Sequence, residues 1–135
     1  MPSFDYKEQS SDIFGKVFRP LIELEVHSEV EKDWIKLKNI LADTGADVSI
    51  LPRNTGELIL TDITKGKVYE VKGIVPFAKL IVYINNLKFR INSREFELPV
   101  GIADSNDVLP ILGRVKGLDL FNANFNKGKT VLLEE

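Results

Sequence analysis

Asp43, Thr44 and Gly45 lie within LADTGADVSIL, residues 41–51, where apolar residues both deliver the chain and carry it away. A carboxylate set between two apolar segments is costly unless it is paired or functional. Thr44 adds a hydroxyl beside it, and Gly45 lets backbone approach a ligand closely. The chemistry open to Asp43 is proton transfer. Other catalytic chemistries lack their parts. The chain has no cysteine, so neither a thiolate nucleophile nor a disulfide can form, and its lone histidine, His27, cannot build a histidine zinc site. The same scarcity disfavours a Ser-His-Asp triad. A second element, PILGR at residues 110–114, runs an apolar pair into Gly113 and then Arg114. Alone, Asp-Thr-Gly reads more readily as a turn between strands, because Asp and Gly favour turns.

The elements that must position these residues are read from periodicity. From Val17 onward apolar residues mostly alternate, which is the strand period. Ile22, Leu24 and Val26 share one face of a strand that begins at Pro20, with Glu23 and Glu25 on the other face. Trp34–Leu41 forms a second strand ending at the Asp43 turn, and Val48–Leu51 a short buried one stopped by Pro52. Lys67–Ile84 is a long run interrupted at Gly73–Phe77, which reads as a hairpin tip. Asn85-Asn86 reads as a two-residue hairpin turn, since Asn tolerates positive φ. Phe96–Ile102, Val108–Leu112 and the terminal KTVLLE are further strands. One short helix is expected from Arg114, with Val115, Leu118 and Phe121 at a spacing of three and Gly117 weakening it. Residues 1–14 have little periodicity and are expected to be a flexible arm before a single domain over 15–135. Many short strands and one late helix give an all-β, closed-barrel-like domain.

Taken together, ADTGAD, the later hairpin and LGRVKGLDLF resemble the retropepsin-like (retroviral-type) aspartic protease family in type, order and approximate spacing. The resemblance runs from about Phe18 to Leu133; FRPLIEL is similar to the family's first strand and GIVPF to its flap tip. Because the sequence opens with Met, it resembles the single-domain cellular members more than a piece of a viral polyprotein. The resemblance implies an acid-protease fold with one short C-terminal helix. It implies that Asp43 is catalytic, that Thr44 bonds across a dimer axis, and that Gly45, Ala46 and Asp47 contact substrate through backbone. Asp47 would pair with Arg114 near the subunit boundary. Gly73, Ile74 and Val75 would form the flap, with the Ile74 N–H over the bound peptide, while Leu109 and Ile111 would line side-chain pockets. The flap departs from the family pattern: Gly73 is its only glycine, and Pro76, which cannot donate a hydrogen bond, stiffens it. A slow or narrowly specific enzyme is consistent with that.

Amide hydrolysis explains why one Asp-Thr-Gly is insufficient. It needs one ionised carboxylate to activate water and one protonated carboxyl to assist the carbonyl. Two carboxylates a few Å apart supply both, because they cannot both ionise cheaply. The sequence holds a single copy, so a homodimer must bring the second by symmetry. The reading is thus an endopeptidase acting on peptides or unfolded proteins without metal or cofactor. The alternative is a non-catalytic dimerisation or peptide-binding module on the same fold.

Composition excludes other partners. At 135 residues, 44% of them hydrophobic, the chain suits one domain. The formal net charge of −2, with both signs interspersed, argues against nucleic-acid or anionic-membrane surfaces. No apolar run approaches the roughly 20 residues of a membrane span. MPSFDYKEQSSDIFG does not resemble a signal peptide, and a cytoplasmic location is expected. Asp104 and Asp107 read as loop residues rather than metal ligands, and Trp34 and His27 as packing or surface residues. KGKT at 127–130 lacks the glycine and preceding strand of a phosphate loop.

Overall fold

The computed structural model describes residues 2–72 and 79–135. The strands, in chain order, are β1 (Ser3–Asp5), β2 (Lys7–Ser11), β3 (Gly15–Arg19), β4 (Leu21–Ser28), β5 (Asp33–Ala42), β6 (Ser49–Leu51), β7 (Lys67–Lys72), β8 (Lys79–Ile91), β9 (Arg94–Ala103), β10 (Ile111–Leu112), β11 (Asn122–Asn126) and β12 (Thr130–Glu134). Six of them close a ring in the order β4-β5-β10-β6-β9-β8, with β8 returning to β4 through Glu25–Arg90 and Val26–Phe89. Closure removes the open edges that an all-β chain must otherwise protect. β7 extends the sheet outside the ring along β8. The all-β, barrel-like reading therefore holds.

Alternation fills the ring. Ile22, Leu24 and Val26 of β4, Leu98, Val100 and Ile102 of β9, and Leu112 of β10 are all at most 3% exposed. Val131 and Leu133 of β12 join the same core from the terminal sheet, ordered β1-β12-β11. Each such side chain contributes about 1.5–3 kcal/mol on burial. Among the described residues no helix is long and apolar enough to cross a membrane.

Three local expectations are corrected. Asn85-Asn86 is not a turn: β8 runs through it, paired with Val100 and Pro99, and the chain reverses at Asn92-Ser93, with Asn92 at φ 54°. Here the strand passes from β7 to β4 as its second neighbour, and the Asn85 amide donates to the Ile63 and Tyr83 carbonyls. The only α-helix among the described residues, α1, is Arg53–Ile59 rather than a C-terminal one. It packs so tightly that a Cβ on Gly56 would strike Ile102, and Ile59 is fully buried.

After Arg114 the chain makes turns that end in a 3₁₀ turn, Leu118–Leu120. Lys116 has φ 59°, and a Cβ on Gly117 would lie 2.6 Å from the Gly113 carbonyl oxygen, so a regular α-helix does not propagate. The N-terminal segment expected as a loose arm is strand-paired: β1 lies on β12 and β2 forms a hairpin with β3. That hairpin carries Ile13 and Phe14, 85% and 74% exposed, at its tip.

Candidate active site

The site is built where β5 ends. β10 is threaded between β5 and β6, parallel to the first (Ile111 beside Leu41, Leu112 beside Ala42) and antiparallel to the second (Ile111 beside Ile50). The two strands flanking β10 are thus the ones joined by the Asp43 loop. Backbone bonds fix the exit of β5: Leu41 N–H donates to the Pro110 carbonyl at 2.9 Å, Ala42 N–H to Pro20 at 3.0 Å, and Asp43 N–H to Leu112 at 3.0 Å. The chain then turns sharply, with Ala46 N–H donating to the Asp43 carbonyl at 3.3 Å. The Asp43 carboxylate accepts a hydrogen bond from Gly45 N–H at 2.9 Å through Oδ1. A Cβ on Gly45 would sit 3.2 Å from that oxygen, so glycine keeps the approach open.

The two sequence elements meet through backbone. Gly113 N–H donates to the Ser49 hydroxyl at 2.9 Å, in a buried setting. Arg114 N–H donates to Ala46 at 2.8 Å and Val115 N–H to Asp47 at 3.1 Å. Gly113 is required there: a Cβ would lie 2.6 Å from the Val48 carbonyl oxygen and 2.9 Å from that of Ala46. Ser49, only 3% exposed, was not singled out from the sequence. The available signal was a hydroxyl inside an otherwise apolar strand, where burial demands a partner.

Arg114 lies 3.6 Å from Asp47 and 3.7 Å from Asp119, as ion pairs beyond hydrogen-bond length. The Asp47 side chain is 82% exposed, so in the isolated chain this is a surface pair. Asp43 is half-buried, while Thr44 and Gly45 are exposed at the top of the loop and Ala46 is half-buried. Next to them Ile111, Val48 and Val108 pack on a small apolar cluster of Ile50, Val82 and Ala103, and Leu109, the residue after Val108, is 38% exposed. β7 and β8 run antiparallel up to the pair Lys72–Lys79. Gly73, Ile74 and Val75, the flap residues of the sequence reading, lie outside the described residues.

Among the described residues no three His, Asp or Glu side chains converge as a metal site. Asp104, read as a solvated loop residue, pairs with Arg53. A groove of about 370 Å³ lies at the β8–β9 turn and the C-terminus, lined in part by Arg94, Phe121 and Glu135. It shares no residue with the Asp43 loop.

No family model matches the sequence, and no curated protein matches it. Solved structures do match. The fold is similar to the crystal structure of a retropepsin-like aspartic protease from Rickettsia conorii, with a TM-score of 0.61 and 18% identity, over 98% of this chain and 90% of that one. An EIAV protease complexed with the inhibitor HBY-793 aligns over 78% of this chain and 88% of that one, with a TM-score of 0.49 and 20% identity. The chain has a retropepsin-like fold.

Proposed function

We propose that the protein is an aspartic endopeptidase that works as a homodimer, the two Asp43 carboxylates forming one shared catalytic pair. The observation that carries this reading is the Asp43 turn: a carboxylate oriented by the Gly45 N–H, at an exposed loop held by β10 in a retropepsin-like barrel. The sequence contains one such turn. A two-fold axis passing between two copies of the turn supplies the second carboxylate.

The chemistry follows from that pairing. Two carboxylates a few Å apart retain one proton between them. The ionised member takes a proton from water as the water oxygen attacks the scissile carbonyl carbon, and the protonated member gives its proton to the carbonyl oxygen. The resulting gem-diol collapses as one carboxyl group gives its proton to the nitrogen and the other carboxylate takes a proton from a diol hydroxyl, which restores the shared proton. The C–N bond breaks, leaving a carboxylic acid and an amine. Thr44, exposed at the loop top, bonds across the axis and stiffens the two loops. The substrate lies extended between loop and flap, adding a strand whose alternate side chains enter pockets. Gly45, Ala46 and Asp47 meet its backbone, while Leu109 and Ile111 meet its apolar side chains. Asp47 and Arg114 flank the subunit boundary.

The test is cleavage of an unfolded protein or a peptide library by the purified chain, alongside Asp43→Asn, with mass measured by sedimentation. The reading requires a dimer that cuts and a variant that does not. A monomer at tens of micromolar, or a variant that still cuts, would contradict it. A dimer that binds peptides without cutting them would favour the non-catalytic peptide-binding module.

A further inference from the structure

We propose that Arg53 is a positioning residue for substrate selectivity, anchoring the segment 104–110, which carries Leu109 and leads to Ile111 beside Leu41 of the strand that ends at the Asp43 loop. The proposal rests on the protease reading above for its substrate, and on the following contacts for its geometry. β6 leaves the Asp43 loop and, after Pro52, the chain enters α1 at Arg53. Pro52 provides no side-chain cap, and the first N–H groups of α1 are instead met by the segment that follows β9. Arg53 N–H donates to the Ser105 carbonyl at 3.0 Å and Asn54 N–H to Asn106 Oδ1 at 2.8 Å. The Arg53 guanidinium donates to Asp104 Oδ1, while its Nε donates to Glu57 Oε1 at 2.8 Å.

Among the described residues the remaining backbone hydrogen bonds of the segment to other elements lie at its two ends, while Val108 packs on the cluster of Ile50, Val82 and Ala103. Asp104 N–H donates to the Ile81 carbonyl at 2.9 Å, and Leu41 N–H to the Pro110 carbonyl at 2.9 Å. Between them, Asp107 N–H bonds only locally, to the Ser105 hydroxyl at 3.0 Å. Among the described residues the contacts from α1 are therefore the hydrogen bonds that tie residues 104–106 to a regular element, ahead of the apolar packing of Val108. Leu109 follows after Val108, 38% exposed, and Ile111 opens β10, which pairs with β5 where that strand runs into the Asp43 loop.

The Arg53–Asp104 pair is itself exposed, with side chains 40% and 44% accessible. Pairs of that kind contribute little to folding stability. What they can do is hold a loop in register, and a loop presenting an apolar side chain to a substrate acts on binding. Leu109 meets the substrate in both the ground and the transition state, so its misplacement raises KM and leaves kcat nearly alone.

The experiment is steady-state cleavage by wild type, Arg53→Gln, Arg53→Lys, Asp104→Asn and the Arg53→Gln/Asp104→Asn double variant. Paired peptides would differ only in a large apolar residue or alanine at the position facing Leu109. Arg53→Gln is expected to raise KM for the large-residue peptide by roughly three- to tenfold, with kcat within about twofold and little change for the alanine peptide. Arg53→Lys should restore part of the difference, and the double variant should be no worse than the worse single one. A loss in kcat and thermal stability together, with selectivity unchanged, would reduce Arg53 to a structural role and overturn the proposal.

Amide hydrogen exchange on the same proteins needs no turnover. Arg53→Gln should speed exchange at Asp104 and Asp107 by roughly tenfold, leaving Ala46 and Arg114 as in wild type. Unchanged exchange at Asp104 and Asp107 overturns the proposal even if the wild-type protein cuts nothing. A wild-type protein that cuts nothing, with exchange altered as expected, counts against the protease reading instead.

Discussion

Replacing Gly113 by alanine adds one methyl group where two backbone carbonyls, of Val48 and Ala46, already stand. The new Cβ would lie 2.6 Å from the Val48 carbonyl oxygen, 2.7 Å from the Val48 carbonyl carbon and 2.9 Å from the Ala46 carbonyl oxygen. None of these is the end of a flexible side chain, so relief requires main-chain movement of β10, of residues 46–48, or of both. Overpacking of this kind costs about 1–3 kcal/mol. In a chain of this size each kcal/mol lowers Tm by about 3–5 °C, so a fall of roughly 3–15 °C is expected. The movement also strains the bonds from Gly113 N–H to Ser49 and from Arg114 N–H to Ala46, which set the far side of the Asp43 turn. A displacement near 1 Å there is enough to reduce cleavage on the order of a hundredfold. Calorimetry gives the first quantity, and kcat/KM on a peptide substrate gives the second. A variant with wild-type Tm and wild-type kcat/KM would refute the claim that the Gly113 contact sets the site.

Ser49→Ala leaves the buried Gly113 N–H without its acceptor, so the urea midpoint should fall by the equivalent of about 1–3 kcal/mol at unchanged m-value. Arg114→Ala should cost the folded chain less than about 1 kcal/mol, because its pairs with Asp47 and Asp119 are exposed and its backbone bond to Ala46 survives; several kcal/mol in a urea titration would contradict this geometry. Glu25 gives a pH dependence. Its carboxyl is held below the usual range first by the hydrogen bonds from Arg90, at 3.1 and 2.9 Å, with burial opposing and the Arg90 charge assisting. A lowered folded value means that the contribution is fully present above the unfolded value of about 4.3 and is lost as pH falls through the folded one. Tm of wild type and Glu25→Gln should therefore differ at pH 7 and converge as pH falls below about 4; curves that stay parallel would contradict the assignment.

The residues that announce themselves by period or by motif were legible. Ile22, Leu24 and Val26 do turn one face inward, and Asp43 does sit in a turn whose neighbour is the Gly113-Arg114 backbone. What was misread depended on contacts far away in sequence. Asn85-Asn86 has the local chemistry of a turn, yet the strand continues because the 63–66 turn packs on it: a Cβ on Gly66 would lie 2.4 Å from the Ile84 carbonyl oxygen. α1 carries a glycine and no side-chain cap, so local propensity is poor; burial of Ile59 and the 104–107 loop supply what the segment lacks. The helix expected after Arg114 had a fitting spacing of apolar residues, but Leu118 N–H bonds back to Gly113 and the chain curls into turns. Residues 3–11 are too polar to show a strand period, and pairing with β12 and β3 is invisible without those partners.

The central claim is that one active site is made from two copies of Asp43. It is tested most directly by a linked dimer with one wild-type subunit and one Asp43→Asn subunit, assayed against a linked wild-type dimer. The amide that replaces one carboxylate can neither accept the water proton nor supply one to the carbonyl, so the mixed dimer should lose activity by at least roughly a thousandfold while keeping its fold and mass. A mixed dimer retaining about half the wild-type rate would mean that each chain works alone, and the shared pair would have to be abandoned.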